Sequence, residues 1–482
     1  MTTRIEELPL HWCLPEPELL FHPDRLDDRD QHPLRGLVNY GPFSRSLINY
    51  VMDPIRVGTI TPEGEINKIE HLLKELEIRH LPQERKQYLP EFLGFSRIFG
   101  IRAVMAVKAA QVSLSSRLDK EIASSEQPHI VLAEHIARAL GVLQSLRSEY
   151  DVIFVYLPNR WKECFEVKSE TEEFDLHDYL KAISAIKGIP IQLIREDKGL
   201  AYSCRCSVMW RIGLALYCKA GGVPWKIADA PQDTAFVGLS YAIRNANRPD
   251  ARFITCCSQV FDADGAGLEF ILYETGDYRM ERDNPYLSRP EMRRVMARSV
   301  ALYQRRHAGK TPKHVIVHKT TEFKPEEIDG CYDAWYTAEG LDLLQIQQDV
   351  PWRGIKIDAP RNRQEKKGIS SRYPCERGTC LQLGSREVLL WTQGNASSIV
   401  QGGNFYKEGK GVPSPVLVQR YAGHSDWGEQ CRYILALTKM NWNNDALYDR
   451  LPVTLGYASI LARTVKRMSQ LVSRPYHLRF FM

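Results

Sequence analysis

The sequence predicts an α/β protein of two units behind an irregular leader, and three observations carry that expectation. Apolar strand-like runs alternate with helical-period stretches through residue 219. From about residue 226 the runs lengthen and follow one another at hairpin spacing. The first 35 residues hold Pro9, Pro15, Pro17, Pro23 and Pro33, too many for regular structure.

At 482 residues the chain is long enough for two to three cores, and 44% hydrophobic with 26% charged residues is the balance of an ordinary globular protein. No apolar run approaches the roughly 20 residues that span a bilayer. The opening MTTRIEELPLHW also lacks the basic-then-apolar form of a signal peptide. A cytoplasmic protein with no membrane partner is expected, with its 11 cysteines reduced and mostly buried. The net charge of +5 hides an asymmetry: residues 1–30 carry eight acids against three bases, whereas residues 461–482 carry five bases and no acid. A basic tail suits a polyanion. The acidic head, residues 1–35, reads as an extended strap across the chain's own or a partner's surface.

Residues 36–225 form the first predicted unit. Tyr40-Gly41-Pro42 marks a turn, IRVGTIT (55–61) a buried strand, and INKIEHLLKELEI an amphipathic helix. PEFLGFSRIFGIRAVMA reads as a loop with aromatic anchors. VLAEHIARALGVLQSL is a covering helix, and DVIFVYLP (151–158) is a parallel-type strand with an unbroken apolar run. The strand–helix alternation predicts a Rossmann-like unit with its ligand site at the carboxyl ends of the strands.

Residues 226–482 form the second unit. DTAFVGLSYAI, RFITCCSQVFDADG and GLEFILYE read as meandering strands, with Asp264-Gly265 as a turn. MRRVMARSVALYQRRH is a helix with a basic face, HVIVHKTTEF a fourth strand and CLQLGSREVLLWTQG a hairpin. WGEQCRYILALTKMNWNN and LPVTLGYASILARTVKRM supply closing helices. Three meandering strands, a helix, a fourth strand and terminal helices form an RNase H-like layout.

The candidate site lies between His177 and Lys219. His177 and Lys181 stand four apart in a helical segment and so share one face. Gln192 follows in the short strand GIPIQLI, and Lys219 ends an apolar helix at a Gly-Gly stop. That span holds seven Lys/Arg against three Asp/Glu, an excess that a bound terminal phosphate explains. Lysines on amphipathic helices are usually solvated and a lone histidine is usually structural, so order and spacing carry the reading.

That order of ring, Lys, Gln and Lys resembles the guide 5′-phosphate pocket of the MID domain of Argonaute proteins. Where the commoner family pattern has Tyr this chain has His177, and one turn before Lys219 it has Ala215 in place of a second Lys. Arg211 is the substitute the resemblance suggests. In the second unit VGLSYA, VIVHKTTEF, LTKMNWNN and LPVTLGYASILARTVKRM resemble consecutive motifs of the PIWI domain. With YGPFS and the GF-x-x-x-FG stretch, the similarity covers residues 36–482. It leaves no room for N and PAZ domains and points to the short prokaryotic Argonautes, with a MID domain at 36–225 and a PIWI domain at 226–482.

A slicing PIWI domain holds two metal ions on carboxylates. At the matching positions this chain has Ser240, Thr320 and Ser459, so the resemblance implies no catalytic residue and no target cleavage. A misalignment that leaves Asp233, Asp262, Asp264 or Glu322 as metal ligands is the competing reading. In the family a Mg²⁺ bridges the guide phosphate and a terminal carboxylate, here that of Met482 behind Phe480 and Phe481.

The resemblance implies a guide-loaded sensor in prokaryotic immunity against viruses and plasmids. Its guide RNA would be small and 5′-phosphorylated, and it would pair with a single-stranded target DNA. The expected partner is an effector subunit with an APAZ region joined to a SIR2 or TIR NADase or a nuclease, in a heterodimer that can oligomerise on activation and cause abortive infection. His177, Lys181, Gln192, Lys219 and Arg211 would hold the guide's 5′ phosphate. Arg463, Lys466, Arg467 and Arg474 would contact the nucleic-acid backbone, although a solvated basic face explains those four nearly as well. Two alternatives stand beside this: a stand-alone metal-dependent guided endonuclease, and an unrelated α/β enzyme with a small phosphorylated ligand.

Overall fold

The computed structural model describes residues 9–47, 51–169, 173–244, 252–260, 269–358, 368–400, 402–406, 411–465 and 475–482. Two sheets organise them. The front sheet has five strands, all parallel, with Ile191–Arg195 beside Val152–Leu157 and Val152–Leu157 beside Ile55–Pro62. Ala103–Met105 and Gln111–Leu114 share the far edge of Ile55–Pro62, one pairing with each half. All six residues of Val152–Leu157 are buried, as a central strand covered on both faces requires. Helices Ile66–Leu76 and Arg205–Lys219 pack on one face, while Pro128–Gln144 and much of Leu176–Lys187 pack on the other. This is the doubly wound arrangement that alternating strands and helices dictate.

The rear sheet has ten strands. At its centre Thr234–Arg244, His314–Lys319 and Gly340–Gln347 run parallel. Arg252–Val260 and Glu269–Thr275 meander antiparallel to one side. Val416–Ala422, Glu387–Leu390 and Thr379–Gly384 complete the other. Alternation decides which face each residue serves. Ala235, Val237 and Leu239 meet the helices Arg289–Arg306 and Pro325–Ala334 in one core. Phe236 faces the opposite core with Tyr457 and Leu461 of the helix Val453–Val465. That second core is continuous with the front lobe, holding Trp210 and Tyr217 as well as Phe480, Phe481 and Met482.

Three expectations need correction. The leader is not merely extended: from residue 9 it is a strap with paired strands over the chain's own rear lobe. His11–Cys13 adds to the edge of the ten-stranded sheet against Leu381–Thr379, and Leu19–Leu20 pairs with both Arg29–Asp30 and Lys226–Ile227. A helix, Pro33–Tyr40, begins before residue 36. The aromatic segment is not a loop throughout: it contains the helix Phe95–Phe99 and the strand Ala103–Met105, with Phe92, Phe95 and Phe99 fully buried as anchors. Strands Gly340–Gln347 and Val416–Ala422 and the helix Pro325–Ala334 add to the elements expected of the second unit. Residues 1–8 of the leader and the Asp264-Gly265 turn lie outside the described residues. Among the described residues no helix is long and apolar enough to cross a membrane.

Candidate functional site

A cleft of about 420 Å³ opens where Leu157 and Ile194-Arg195 end two neighbouring parallel strands. One wall is the helix Leu176–Lys187. Asp175 caps its start by accepting from the Asp178 amide at 3.0 Å, and Gly188 ends it in the left-handed region at φ 69°, where a side chain would be strained. Between those caps His177 and Lys181 lie one turn apart, and both line the cleft. Gln192 lines it from the adjacent strand, its amide donating to the Leu193 carbonyl at 3.2 Å. Arg211 and Ala215 line it from the helix Arg205–Lys219. The Arg211 guanidinium sits 5.7 Å from the Tyr202 ring centre.

Lys219 is fully buried and does not line the cleft, yet it reaches the same atom as Lys181. Both ammonium groups donate to the main-chain oxygen of Met482, and Lys181 also donates to the Ile191 carbonyl at 3.3 Å. The tail brings that oxygen in. Pro475–His477 pairs with Glu269–Ile271 at the edge of the rear sheet, a short turn of helix follows at Leu478–Phe480, and Phe480 and Phe481 are buried just before Met482. The rear lobe's last strand therefore delivers an oxygen to the front lobe's lysines.

The electrostatics of this pair are unusual. Burial pushes the Lys181 ammonium down to about 8, with Lys219 as hydrogen-bond partner and nearby Asp178 working against the fall. Burial, followed by the charge of Lys181, holds Lys219 well below the ordinary lysine value. Among the described residues no side-chain carboxylate forms an ion pair with either. The shared oxygen belongs, in the sequence as given, to the terminal carboxylate of Met482, so two buried cations face a single negative charge and repel one another across it. A phosphate monoester, with up to two negative charges and three free oxygens, supplies what the arrangement lacks.

The rim holds the one group of potential metal ligands found among the described residues, Asp175, His177 and Asp178. His177 is half exposed and lies 3.2 Å from Asp178. Arg463 approaches from the closing helix of the rear lobe, 3.9 Å from Asp178. Lys466, Arg467 and Arg474 lie outside the described residues. Sequence reasoning missed Arg195, Lys198 and Asn443, which also line the cleft. Arg195 had a signal, since it ends a strand at the carboxyl edge of a parallel sheet, and Lys198 lies in the turn that follows.

In the rear lobe Ser240 and Thr320 fall at the same level of two neighbouring parallel strands, one residue beyond the paired Leu239 and Lys319. They alternate onto the face covered by the helix Val453–Val465, which carries Ser459. Of the competing acids, the two among the described residues, Asp233 and Glu322, do not come together. Asp233 precedes the first of these strands in a left-handed turn, while Glu322 follows the second and pairs with Lys324 at 2.7 Å. Because the strands are parallel, the two acids sit at opposite ends of them. Asp262 and Asp264 lie outside the described residues.

No family model matches the sequence, and no curated protein is similar to it. Solved structures are. Clostridium butyricum Argonaute bound to a guide DNA and a 19-mer target DNA is similar over 98% of this chain and 55% of its own, at 16% identity and a TM-score of 0.65. Drosophila Piwi is similar over 98% of this chain and 56% of its own, at 13% identity and a TM-score of 0.63. The structure of A. aeolicus Argonaute is similar over 99% of this chain and 56% of its own, at 17% identity and a TM-score of 0.60. The chain thus spans about half the length of the structures it matches. Its fold is theirs in that half: a Rossmann-like MID unit followed by an RNase H-like PIWI unit.

Proposed function

We propose that this chain is a short, MID-PIWI-only Argonaute that loads a small 5′-phosphorylated guide, RNA in the reading favoured here, and uses it to recognise single-stranded target DNA without cutting it. The observation that carries the proposal is the convergence of two buried lysines, neither paired with a side-chain carboxylate, on one Met482 oxygen beside a cleft at the strand ends. Lys181 and Lys219 hold the phosphate as point charges, while Gln192 and Arg211 add directed donors and His177 covers the rim. Binding raises both lysine pKa values, so phosphate capture at alkaline pH is accompanied by proton uptake. The protein grips phosphate and strand shape, and base pairing supplies the sequence.

A magnesium ion fits this site only together with the phosphate. It takes hard oxygen ligands in octahedral geometry, and the Met482 oxygen it would share already accepts from two ammonium groups. Once bound, the ion would neutralise phosphate charge and help orient the first nucleotide.

The silence of the rear lobe follows from its side chains. Ser240, Thr320 and Ser459 offer neutral hydroxyls where a two-metal site needs anionic oxygens or imidazole. Any chemistry then belongs to a partner, proposed as an APAZ-containing effector with a SIR2, TIR or nuclease domain, in defence against viruses and plasmids. The test is to load purified protein with a 5′-phosphorylated guide and add labelled complementary DNA with Mg²⁺ or Mn²⁺. Guide-dependent target binding without product is expected. Guide-dependent cleavage that follows the protein through successive purification steps would overturn the silent reading, and extraction of a metabolite instead of oligonucleotides would overturn the whole.

A further inference from the structure

Nine cysteines have described side chains, all of them free, and seven of the nine are buried. The other two, Cys13 and Cys375, belong to the strap and to the rear lobe beneath it, and the fold brings them to one place. Cys13 pairs with Thr379 across the sheet edge. Trp12 beside it packs toward the continuous core, so strand alternation turns Cys13 to the other face. Cys375 packs on that face, with Leu381, against Val350, Leu389 and Trp391.

One hydroxyl lies between the two sulfurs. Thr379 donates to the Glu376 carbonyl at 2.7 Å and is also the hydrogen-bond partner of both thiols, so its lone pairs face them. The Cys375 sulfur is closely surrounded, since a Cβ on Gly354 would lie 3.0 Å from it. Cys13 is exposed, its sulfur making only long contacts of 3.8 and 3.9 Å with the Leu14 and Arg377 carbonyls, and it is the side chain able to change rotamer. A second pair, Cys380 with Cys431, is in side-chain contact on the opposite face. Both of its members are fully buried, out of reach of an oxidant dissolved in water.

We propose that Cys13 and Cys375 form a redox latch, closing to a disulfide under hydrogen peroxide and fixing the strap to the rear lobe. Each thiol gives up its proton and the pair gives up two electrons as the sulfur–sulfur bond forms. The oxygen–oxygen bond of the peroxide breaks, and two waters leave. In the reduced chain the first strand of the strap is held to the sheet edge by three residue pairs, a pairing short enough to open locally. The closed latch joins positions 13 and 375, and a bond across so long a loop stabilises by constraining the unfolded chain. In a reducing compartment a bond of this kind is transient and forms when oxidant rises. Partial burial, with the Glu376 and Glu16 carboxylates, raises the Cys13 thiol, and burial pushes Cys375 up to about 11. Closure is therefore slow near neutral pH and quickens in alkali. The latch stands independently of the terminal-phosphate reading, and the two fail separately.

The experiment treats the reduced full chain with hydrogen peroxide, alkylates the remaining thiols, and maps unreduced tryptic peptides by mass spectrometry. A peptide pair joining Cys13 to Cys375 is expected, forming up to about tenfold faster per pH unit in mild alkali. It is absent from Cys13→Ser and from Cys375→Ser. The melting temperature of the oxidised chain rises, and dithiothreitol returns it to its starting value. Cys13→Ser, at an exposed position, melts with the reduced parent and is not shifted by peroxide. Cys13 oxidised to a sulfinic acid without a link, a link between Cys380 and Cys431 instead, or an unchanged count of free thiols overturns the pair. A link between Cys13 and Cys375 that leaves the melting temperature where it was overturns the latch.

Discussion

Lys181 and Lys219 in the front lobe and Lys319 and Lys439 in the rear are all nearly or fully buried, yet the two pairs are neutralised differently. Lys319 donates to both carboxylate oxygens of Glu327, at 2.7 and 2.8 Å, inside a cage of Tyr241, Tyr286 and Phe323. Lys439 pairs with Glu16 of the leader strap and donates to the carbonyls of Pro17 and Gln31. Each rear-lobe lysine is matched by a side-chain carboxylate and closed to solvent. The front-lobe lysines share one main-chain oxygen beside an open cleft. Burial of a cation is therefore no sign of a site by itself. Burial without a matching side-chain carboxylate, next to a cavity, is what sets apart the pair proposed to hold the phosphate.

The sharpest way to break this contrast is to remove both front lysines. Lys181→Met with Lys219→Met should weaken a 5′-phosphorylated oligonucleotide by about 3–6 kcal/mol, two charge-assisted hydrogen bonds at roughly 1.5–3 each. Filter binding should show the 5′-hydroxyl strand unaffected and the melting temperature undiminished. The mirror experiment removes a rear-lobe partner. Glu327→Gln leaves Lys319 buried without its charge partner and should cost about 3–5 kcal/mol of stability in urea unfolding, while the folded fraction keeps its preference for 5′ phosphate. If the two substitutions exchanged effects, the distinction between the pairs would be wrong.

pH sharpens it further. Burial holds Lys181 near 8, below its unfolded value, so it is charged in the folded protein below that pH and neutral above. Phosphate-dependent affinity should be flat from pH 7 to 8 and then decline, by up to about tenfold per pH unit for one proton. For folding the sign is opposite. The unfolded chain binds more protons between 8 and the ordinary lysine value, so the guide-free protein gains stability as pH rises through that window. Isothermal titration in buffers of different ionisation heat would detect the proton taken up with the phosphate. The smallest effect is a gain: Ala215→Lys restores a cation to the cleft wall and should tighten the phosphorylated strand by about 1 kcal/mol, roughly fivefold.

Local pattern makes much of this fold legible. DVIFVYLP has an unbroken apolar run because both its faces are covered, and the helices at 66, 128, 176 and 453 announce themselves by their period. What local pattern misses depends on distant partners. LDLLQIQQ mixes Asp and Gln into a strand whose Asp342 is buried against Ser425 and Arg420, pairings no local rule supplies. Nothing local marks the strap as ordered, because its order comes from a sheet edge more than 360 residues away and from Glu16 reaching Arg377 and Lys439. At the candidate site, helical spacing picks out His177 and Lys181, and the strand after them picks out Gln192. The contact of both lysines with Met482 joins positions 301 and 263 residues apart, and only the folded tail creates it.

One measurement tests the central claim most directly: dissociation constants of the purified chain for a single oligonucleotide prepared with a 5′ phosphate and with a 5′ hydroxyl, at pH 7 and fixed salt. A lysine pair left without a side-chain carboxylate predicts a preference for the phosphorylated end of about a hundredfold or more. Equal constants for the two ends would contradict it.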